Sequence, residues 1–220
     1  MPTKGRTRTA GPRNAPRIYL AGPEVFFADA LDLAREKKRL CARHGFQGVF
    51  PLDVEIEGAS TLPPADTARA ISRANESLIR GCDLLIANCT PFRGVSMDAG
   101  TAYEIGFARA LGKPVFGYTN VVADYKARAE RHRAAAGRAP AADRKGSAIE
   151  DFGLAENLMI AMATGAEGID LVRTRVARAL EFTDLTGFKR CLVLAKKAWA
   201  VRATSVQGTY ARRPRPRNRA

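Results

Sequence analysis

Hydrophobic positions recur along the middle of this chain in two patterns that alternate with each other. Short apolar runs at 18–21, 46–50, 83–89 and 114–118 are typical of buried strands. Between and after these runs, apolar residues spaced three or four apart are typical of helices that face a core. This spacing predicts helices at 29–44, 64–81, 98–111, 154–163 and 188–202, with a further helical stretch near 172–182.

Strands that alternate with helices predict an α/β fold built on a parallel sheet with right-handed crossovers. We expect one domain over residues 17–202, an open parallel sheet flanked by helices. Residues 123–147 are rich in Ala and Arg and predict a surface insertion or flap, with a solvated excursion as the favoured interpretation. Residues 1–16 and 203–220 lack a periodic apolar face, and we expect them to be disordered basic tails.

The positive charge of the chain is concentrated at its two ends. Of 220 residues, 36 are Lys or Arg and 22 are Asp or Glu, which gives a formal net charge of +14. Residues 1–17 hold five basic side chains and residues 202–220 hold six, and neither segment holds an acid. A high positive charge points to nucleic acid or an anionic surface as a partner. Here most of the excess positive charge lies at the two ends rather than in the folded body, so we expect only weak nucleic-acid binding, by the tails.

The composition indicates a cytoplasmic protein. No apolar run approaches the roughly 18 to 20 residues of a membrane span, and the N-terminal segment lacks the apolar stretch of a secretory signal. The cysteines form no CxxC pair and only two histidines could join them, so we predict neither a disulfide framework nor a metal site. Buried free thiols are expected at Cys41, Cys82, Cys89 and Cys191.

Sheet topology selects the candidate functional residues. In an open parallel sheet, ligands bind beyond the carboxyl ends of the strands, where the connecting loops diverge. That rule selects Tyr19, Gly22 and Pro23 at the end of the first strand, and the helix after the third strand, which carries Asp98 and Glu104. Helical side chains lean toward the helix N-terminus, so Glu104, about one turn in, tilts back toward Asp98. Two carboxylates can therefore meet in one crevice.

Glu104 has mostly apolar neighbours in sequence, whereas a solvated helix face would show more polar ones. A carboxylate in such surroundings needs a hydrogen bond, which Tyr19 could supply, and perturbed carboxylates concentrate in active sites. Asp98 also suits a helix N-cap, which is the favoured role for an isolated Asp there, with Ser96 as a rival. Gly100 removes a side chain from the helix surface and permits close approach of a substrate.

Several common catalytic signatures are missing from the sequence. It holds neither GxGxxG nor GxxxxGK[ST], so neither a dinucleotide site nor a Walker loop is predicted. His44 and His132 are expected at the surface, which leaves a Ser–His–Asp triad unsupported.

Four segments carry a family resemblance: IYLAGPEVF at 18–26, FPLD at 50–53, DAGTAYEIGFARALGKPVFGY at 98–118 and ENLMI at 156–160. Together, and in this order, they resemble the nucleoside 2-deoxyribosyltransferase family over about residues 18–192. The resemblance implies a flavodoxin-like fold and an exchange of bases on 2'-deoxyribonucleosides in nucleotide salvage. In that reaction a glutamate attacks C1', forms a covalent deoxyribosyl-enzyme, and a second base completes the transfer.

The resemblance also implies roles for single catalytic residues. Glu104 matches the nucleophile, Tyr19 the tyrosine that orients it, and Asp98 the aspartate that holds the sugar hydroxyls. Asp83 matches the aspartate placed toward the leaving base, although an aspartate that opens a buried strand can equally tie down a loop.

Further residues match the family's binding elements. Gly22, Pro23 and Gly100 match positions around the substrate. Asn157 and Met159 match a segment that reaches into the neighbouring subunit's site, so the resemblance implies a homo-oligomer. It also implies that deoxyribonucleosides and free bases are the ligands and that no metal or organic cofactor takes part.

Two alternatives stay open at this point. A hydrolase of the same fold could cleave deoxynucleoside 5'-monophosphates, with Arg93 and Ser96 near the phosphate, although Asp98 would repel that group. A non-catalytic nucleotide or nucleic-acid binding module would use the fold without its chemistry. The joint presence of Tyr19, Asp98 and Glu104 favours an enzyme over the second alternative.

Overall fold

The computed structural model describes residues 15–56, 58, 61–135, 147–165 and 171–210, with side chains up to residue 202. Its strands form one fully parallel sheet in the order β2-β1-β3-β4-β5. The strands are β1 (Arg17–Ala21), β2 (Gln47–Val49), β3 (Leu84–Asn88), β4 (Val115–Thr119) and β5 (Val172–Arg173). This is the flavodoxin-like strand order, in which the connections reverse direction between β1 and β3. The expected flavodoxin-like α/β fold is therefore confirmed.

Helices cover both faces of the sheet. They are α1 (Ala30–Arg43), α2 (Pro64–Arg80), α3 (Ala99–Ala110), α4 (Tyr125–Ala135), α5 (Leu158–Ala163) and α6 (Thr186–Tyr210). Residues from α1 and α6 pack with Ile18 and Leu20 of β1 on one face. Residues from α2, α3 and α5 pack with Tyr19 and Ala21 on the other. Because neighbouring side chains of a strand point to opposite faces, β1 sends Tyr19 toward α3.

The four predicted strands are confirmed, but the helical stretch predicted near 172–182 is wrong. Val172 and Arg173 pair with β4 as a fifth strand, and Arg178–Leu180 forms only a short 3-10 turn. Two residues are too few to show a strand periodicity. Val172 is nevertheless buried beside Tyr118, its partner in β4, and this tertiary contact fixes the strand.

Two other helix boundaries differ from the prediction. The helix predicted from residue 154 begins at Leu158, because the Asn157 side chain accepts a hydrogen bond from the Met159 amide and caps it there. Helix α6 continues to Tyr210, so the backbone of 203–210 is helical where a disordered tail was expected. Residues 1–14 and 211–220, the rest of the predicted tails, lie outside the described ranges.

The stretch predicted as an insertion or flap is fixed to the body in its first half. Tyr125–Ala135 form α4, and Arg128 on this helix is buried rather than solvated. The other residues of α4 are exposed or half-buried, so the helix lies at the surface and Arg128 anchors it to the body. Residues 136–146 lie outside the described ranges.

All four cysteines are free and buried, as predicted. In the part of the chain that is described, no helix is long and apolar enough to cross a membrane.

Candidate active site

A cavity of about 900 Å³ opens at the carboxyl edge of the sheet. Its lining comes from the turn after β1, the 51–58 segment after β2, the helix α2 and the first turns of α3. The loops that follow β1 and β3 diverge here, so the cavity occupies the place where a flavodoxin-like sheet binds its ligands. Its size is in the range of small-molecule sites.

Glu104 and Tyr19 meet in this cavity. Glu104 lines it, and the Tyr19 hydroxyl donates a 2.6 Å hydrogen bond to Glu104 Oε1. Tyr19 itself is fully buried, and burial followed by the negative charge of Glu104 raises its pKa, so the phenol stays protonated and remains a donor. The predicted pairing of these two side chains is confirmed.

The carboxyl group of Glu104 titrates near neutrality. Burial raises its pKa from 4.5 to about 7, the Tyr19 hydrogen bond opposes that rise, and the nearby charge of Asp98 adds to it. A carboxylate with such a pKa is ionised and nucleophilic in only part of the population at pH 7. Oε1 is held by Tyr19, which leaves Oε2 without a partner from the described part of the protein.

Asp98 both caps the helix and lines the cavity. Its Oδ2 accepts hydrogen bonds from Thr101 N at 2.8 Å and Thr101 Oγ1 at 2.9 Å, so the N-cap role is confirmed and Ser96 does not fill it. Among the residues described, none donates to Oδ1, which is left for a ligand. One carboxylate can thus hold the helix and accept from a hydroxyl in the cavity.

Two glycines of the cavity lining each leave room for a neighbouring carboxylate. A Cβ on Gly100 would lie 3.1 Å from Asp98 Oδ2, and a Cβ on Gly22 would collide with the Glu24 carboxylate. Both glycines line the cavity, as expected. Pro23 is buried in the adjoining 3-10 turn, Pro23–Phe26, and is not part of the lining.

Glu24, which sequence reasoning did not single out, anchors that turn from behind. It is fully buried, and its Oε1 accepts from Lys37 Nζ, from Asn88 Nδ2 at 2.9 Å and from Tyr118 OH at 3.3 Å. These partners come from α1, β3 and β4. The buried ion pair therefore fixes the turn that carries Gly22 and Phe26 into the cavity.

The outer walls of the cavity are largely apolar, with two polar side chains among them, the exposed carboxylate of Glu55 and one amide. Leu52, Val54, Ile56 and Ile71 line this part, and Phe26 stacks on Phe92 with 5.6 Å between ring centroids. Asn75 of α2 also lines it. An apolar wall with one amide, which both donates and accepts, suits a flat heterocycle.

Asn75 was also missed by sequence reasoning, although the sequence holds a signal for it. It falls on the side of α2 shared by Ile71 and Ile79, four residues away in each direction, as a polar residue on an otherwise apolar face.

The structure does not bring Asp83 into this site. Asp83 immediately precedes β3, and its Oδ2 accepts a 2.7 Å hydrogen bond from Arg17 N at the start of β1. It therefore lies at the amino edge of the sheet, one strand length of about 16 Å from the carboxyl edge. The expectation that Asp83 faces the leaving base is corrected: this side chain ties down β1.

Asn157 and Met159 also stand outside the cavity of their own chain. Asn157 Nδ2 donates to Glu150 Oε1 at 2.6 Å, and Met159 is 70 % exposed at the surface of α5. Arg93 and Ser96, which could have served a phosphate, are not part of the lining either. Arg93 stacks on Phe26 and Phe92, and Ser96 Oγ donates to Glu156 Oε1 at 2.6 Å.

Comparisons with known proteins identify the family of this chain. The family model described as nucleoside 2-deoxyribosyltransferase matches residues 18–159. A solved structure, a 2-desoxiribosyltransferase from Leishmania mexicana, is similar at 27 % identity and a TM-score of 0.51, over 77 % of this chain and 96 % of that one. The chain belongs to the nucleoside 2-deoxyribosyltransferase family.

A curated relative is similar over a shorter stretch. It is an uncharacterised protein of Schizosaccharomyces pombe, 40 % identical over 111 residues, which are 50 % of this chain and 53 % of that protein. The alignment thus spans about half the length of the relative.

Proposed function

We propose that this protein transfers a 2-deoxyribosyl group between nucleobases through a covalent intermediate on Glu104. The observation that carries the proposal is the 2.6 Å hydrogen bond from Tyr19 to a cavity-lining glutamate whose second oxygen has no partner in the described protein. Family membership and the apolar, amide-bearing wall support a nucleoside as the ligand.

The reaction consists of two displacements at one carbon. In the first, Glu104 Oε2 bonds to C1' while the N-glycosidic bond breaks, and the base leaves with the bonding electron pair and takes up a proton from solvent. In the second, a nitrogen of the incoming base bonds to C1', loses its proton to solvent and displaces the carboxylate. Two inversions retain the configuration of the sugar, as in retaining glycosidases.

The neighbouring groups have defined tasks in this reaction. Tyr19 orients the carboxylate of Glu104 and favours its ionised form. Asp98 Oδ1 accepts from a sugar hydroxyl, and its negative charge stabilises the positive charge that develops at C1' in the transition state. Asn75 lies on the wall that the base would face.

The experiment is an incubation of the protein with a 2'-deoxyribonucleoside, with and without a second free base, followed by chromatography of all bases and nucleosides. A new deoxynucleoside that forms only with the acceptor supports the transferase. Glu104→Gln should abolish it, whereas Glu36→Gln, which removes a surface carboxylate on the opposite face of the sheet, should not. If free deoxyribose formed and no base were exchanged, the protein would be a hydrolase and the proposal would be wrong.

We also propose that Asn157 and Met159 act in the site of a neighbouring copy. The exposure of Met159 and Met162 on α5 supports this, because both side chains are more than half exposed. We expect Glu104→Gln to abolish activity and Asn157→Ala to lower it, and mixing the two variants tests the proposal: shared sites raise the activity of mixed oligomers above the sum of the two variants, and separate sites do not. Light scattering of the wild type provides the oligomeric state.

A further inference from the structure

A buried ion pair beside the loop between β3 and α3 carries an inference beyond the reacting groups. Arg128 of α4 is 8 % exposed and Glu156, which precedes α5, is 1 % exposed. Arg128 Nη2 donates to Glu156 Oε2 at 2.9 Å. Neither residue lines the cavity.

The guanidinium of Arg128 joins three separate segments. Its Nε donates to Val95 O at 2.8 Å, and its Nη1 donates to Ala123 O and Ala155 O, each at 2.7 Å. Val95 belongs to the loop between β3 and α3. Ala123 lies between β4 and α4, and Ala155 lies between α4 and α5. The planar fork of an arginine can reach all of these carbonyls at once, whereas a single ammonium group cannot.

Glu156 holds the same loop from a second direction. Its Oε1 accepts from Ser96 Oγ at 2.6 Å and from Asn157 N at 3.1 Å. Val95 and Ser96, adjacent in the chain, are thus fixed by the two halves of one buried ion pair. They precede Asp98 by three and two residues.

The loop between these anchors and β3 has a restrained shape of its own. Phe92 N donates to Ser96 O at 3.0 Å, and Arg93 takes a left-handed backbone conformation with φ of 56°. A non-glycine residue in that region keeps it only where the surroundings hold it. The loop therefore depends on external contacts for the position in which it delivers Asp98 to α3.

We propose that Arg128 and Glu156 are positioning residues, which set the place of Asp98 and, through the start of α3, that of Glu104. The proposal rests on the proposed function for its kinetic effects. Its geometry stands independently, because the network links the loop before Asp98 to the segment that begins with Asn157. Helix α4 then holds the β3–α3 loop of the site in place through Arg128.

The test compares Arg128→Lys with Arg131→Lys, a matched control on the exposed side of the same helix, whose Nε donates to Ala127 O of α4. Arg128→Lys keeps a positive charge beside Glu156 and loses the fork. We expect kcat to fall on the order of 10- to 100-fold per folded molecule, since displacements of about 1 Å cost rates of that size. Arg131→Lys should keep the wild-type rate.

A second variant guards against simple loss of folding. Ser96→Ala removes one hydrogen bond and leaves the ion pair intact, and we expect a smaller fall in kcat with KM changed less than twofold. In the background of Asp98→Asn, Arg128→Lys should have a reduced effect, because a positioning residue acts through the group it places. Additive effects in this double-mutant cycle, or a wild-type kcat in Arg128→Lys, would overturn the proposal.

One readout is independent of catalysis. The Thr101 amide, which donates to Asp98 Oδ2, should exchange its hydrogen faster in Arg128→Lys than in Arg131→Lys. Unchanged protection of Thr101 would refute the positioning role whether or not the protein exchanges bases. A wild type that exchanges no bases would refute the proposed function instead.

Discussion

Tyr19, in the middle of strand β1, donates a hydrogen bond to Glu104, one turn into α3, across 85 positions of sequence. The pair forms because β1 alternates its side chains between the two faces of the sheet and α3 packs on the face that receives Tyr19. A carboxylate attacks in its ionised form, and the hydrogen bond from Tyr19 favours that form. The bond therefore helps to set the pH range in which Glu104 can react.

The first prediction concerns the pH dependence of the first displacement. Since only ionised Glu104 attacks, the rate of base release should rise with pH around a midpoint of about 7. In Tyr19→Phe the midpoint should move to higher pH, because the lost hydrogen bond favoured the ionised form. Tyr103→Phe is the matched control, since the Tyr103 hydroxyl donates to Glu76 at the surface. A midpoint in Tyr19→Phe that stays in place or falls would contradict this account.

Asp98 should have the opposite effect on the same midpoint. Its negative charge raises the pKa of Glu104, so Asp98→Asn should move the midpoint to lower pH while it also slows the reaction. The measurement is the pH profile of the single-turnover rate. If the midpoint stayed near 7, Asp98 would not act on Glu104 through its charge.

The buried carboxyl of Glu104 should lower stability at alkaline pH. Its pKa is higher in the folded protein than its ordinary 4.5, so the folded state binds the proton more tightly. The contribution of this tighter proton binding to the free energy of unfolding is fully present below pH 4.5 and is lost as the pH rises through about 7. Glu104→Gln should therefore raise the free energy of unfolding by up to about 3 kcal/mol at pH 8 and by little at pH 4.5. Denaturant unfolding at both pH values decides this, and an equal change at both would count against it.

Gly100 and Gly106 form a matched pair on α3. A methyl group at Gly100 would press on Asp98 Oδ2, whereas one at Gly106 meets no atom within 4 Å. Gly100→Ala should lower kcat/KM by roughly tenfold, equivalent to about 1.4 kcal/mol. Gly106→Ala should keep the activity and gain up to about 1 kcal/mol of helix stability. Equal kcat/KM values in the two variants would show that the reaction does not need the space that Gly100 leaves beside Asp98.

Asp83 provides a test of the corrected assignment. Asp83→Asn should lower the free energy of unfolding by about 1–2 kcal/mol, because its bond to the Arg17 amide is weakened, and should keep kcat. Steady-state kinetics beside a urea titration measure both. A large loss of kcat without loss of stability would return Asp83 to the catalytic group.

The parts of the site that sequence predicted correctly are the local ones. Asp98 and Glu104 lie within one cap and one turn of helix, so helical geometry alone places them together, and the alternation of β1 leads Tyr19 to the same face. Asp83 could have been excluded by the same reasoning, because a residue at the start of a parallel strand lies at the edge opposite the ligands.

Other features depend on contacts between distant segments, which no local pattern records. β5 has two residues and exists through its pairing with β4. The buried contacts that help to fix α4 come from Arg128, which in the sequence is one basic residue among many. Lys37 likewise stands among the charged residues of α1, yet it pairs in the core with Glu24.

The central claim is that Glu104 becomes covalently bound to the sugar, and mass spectrometry tests it most directly. The protein would be mixed with a 2'-deoxyribonucleoside without an acceptor base, quenched and cleaved after arginine, which yields the peptide of residues 94–109 with Asp98 and Glu104. The account predicts one added deoxyribosyl group that fragmentation assigns to Glu104, together with stoichiometric release of free base. Base release with an unmodified peptide, or a sugar attached at Asp98, would contradict it.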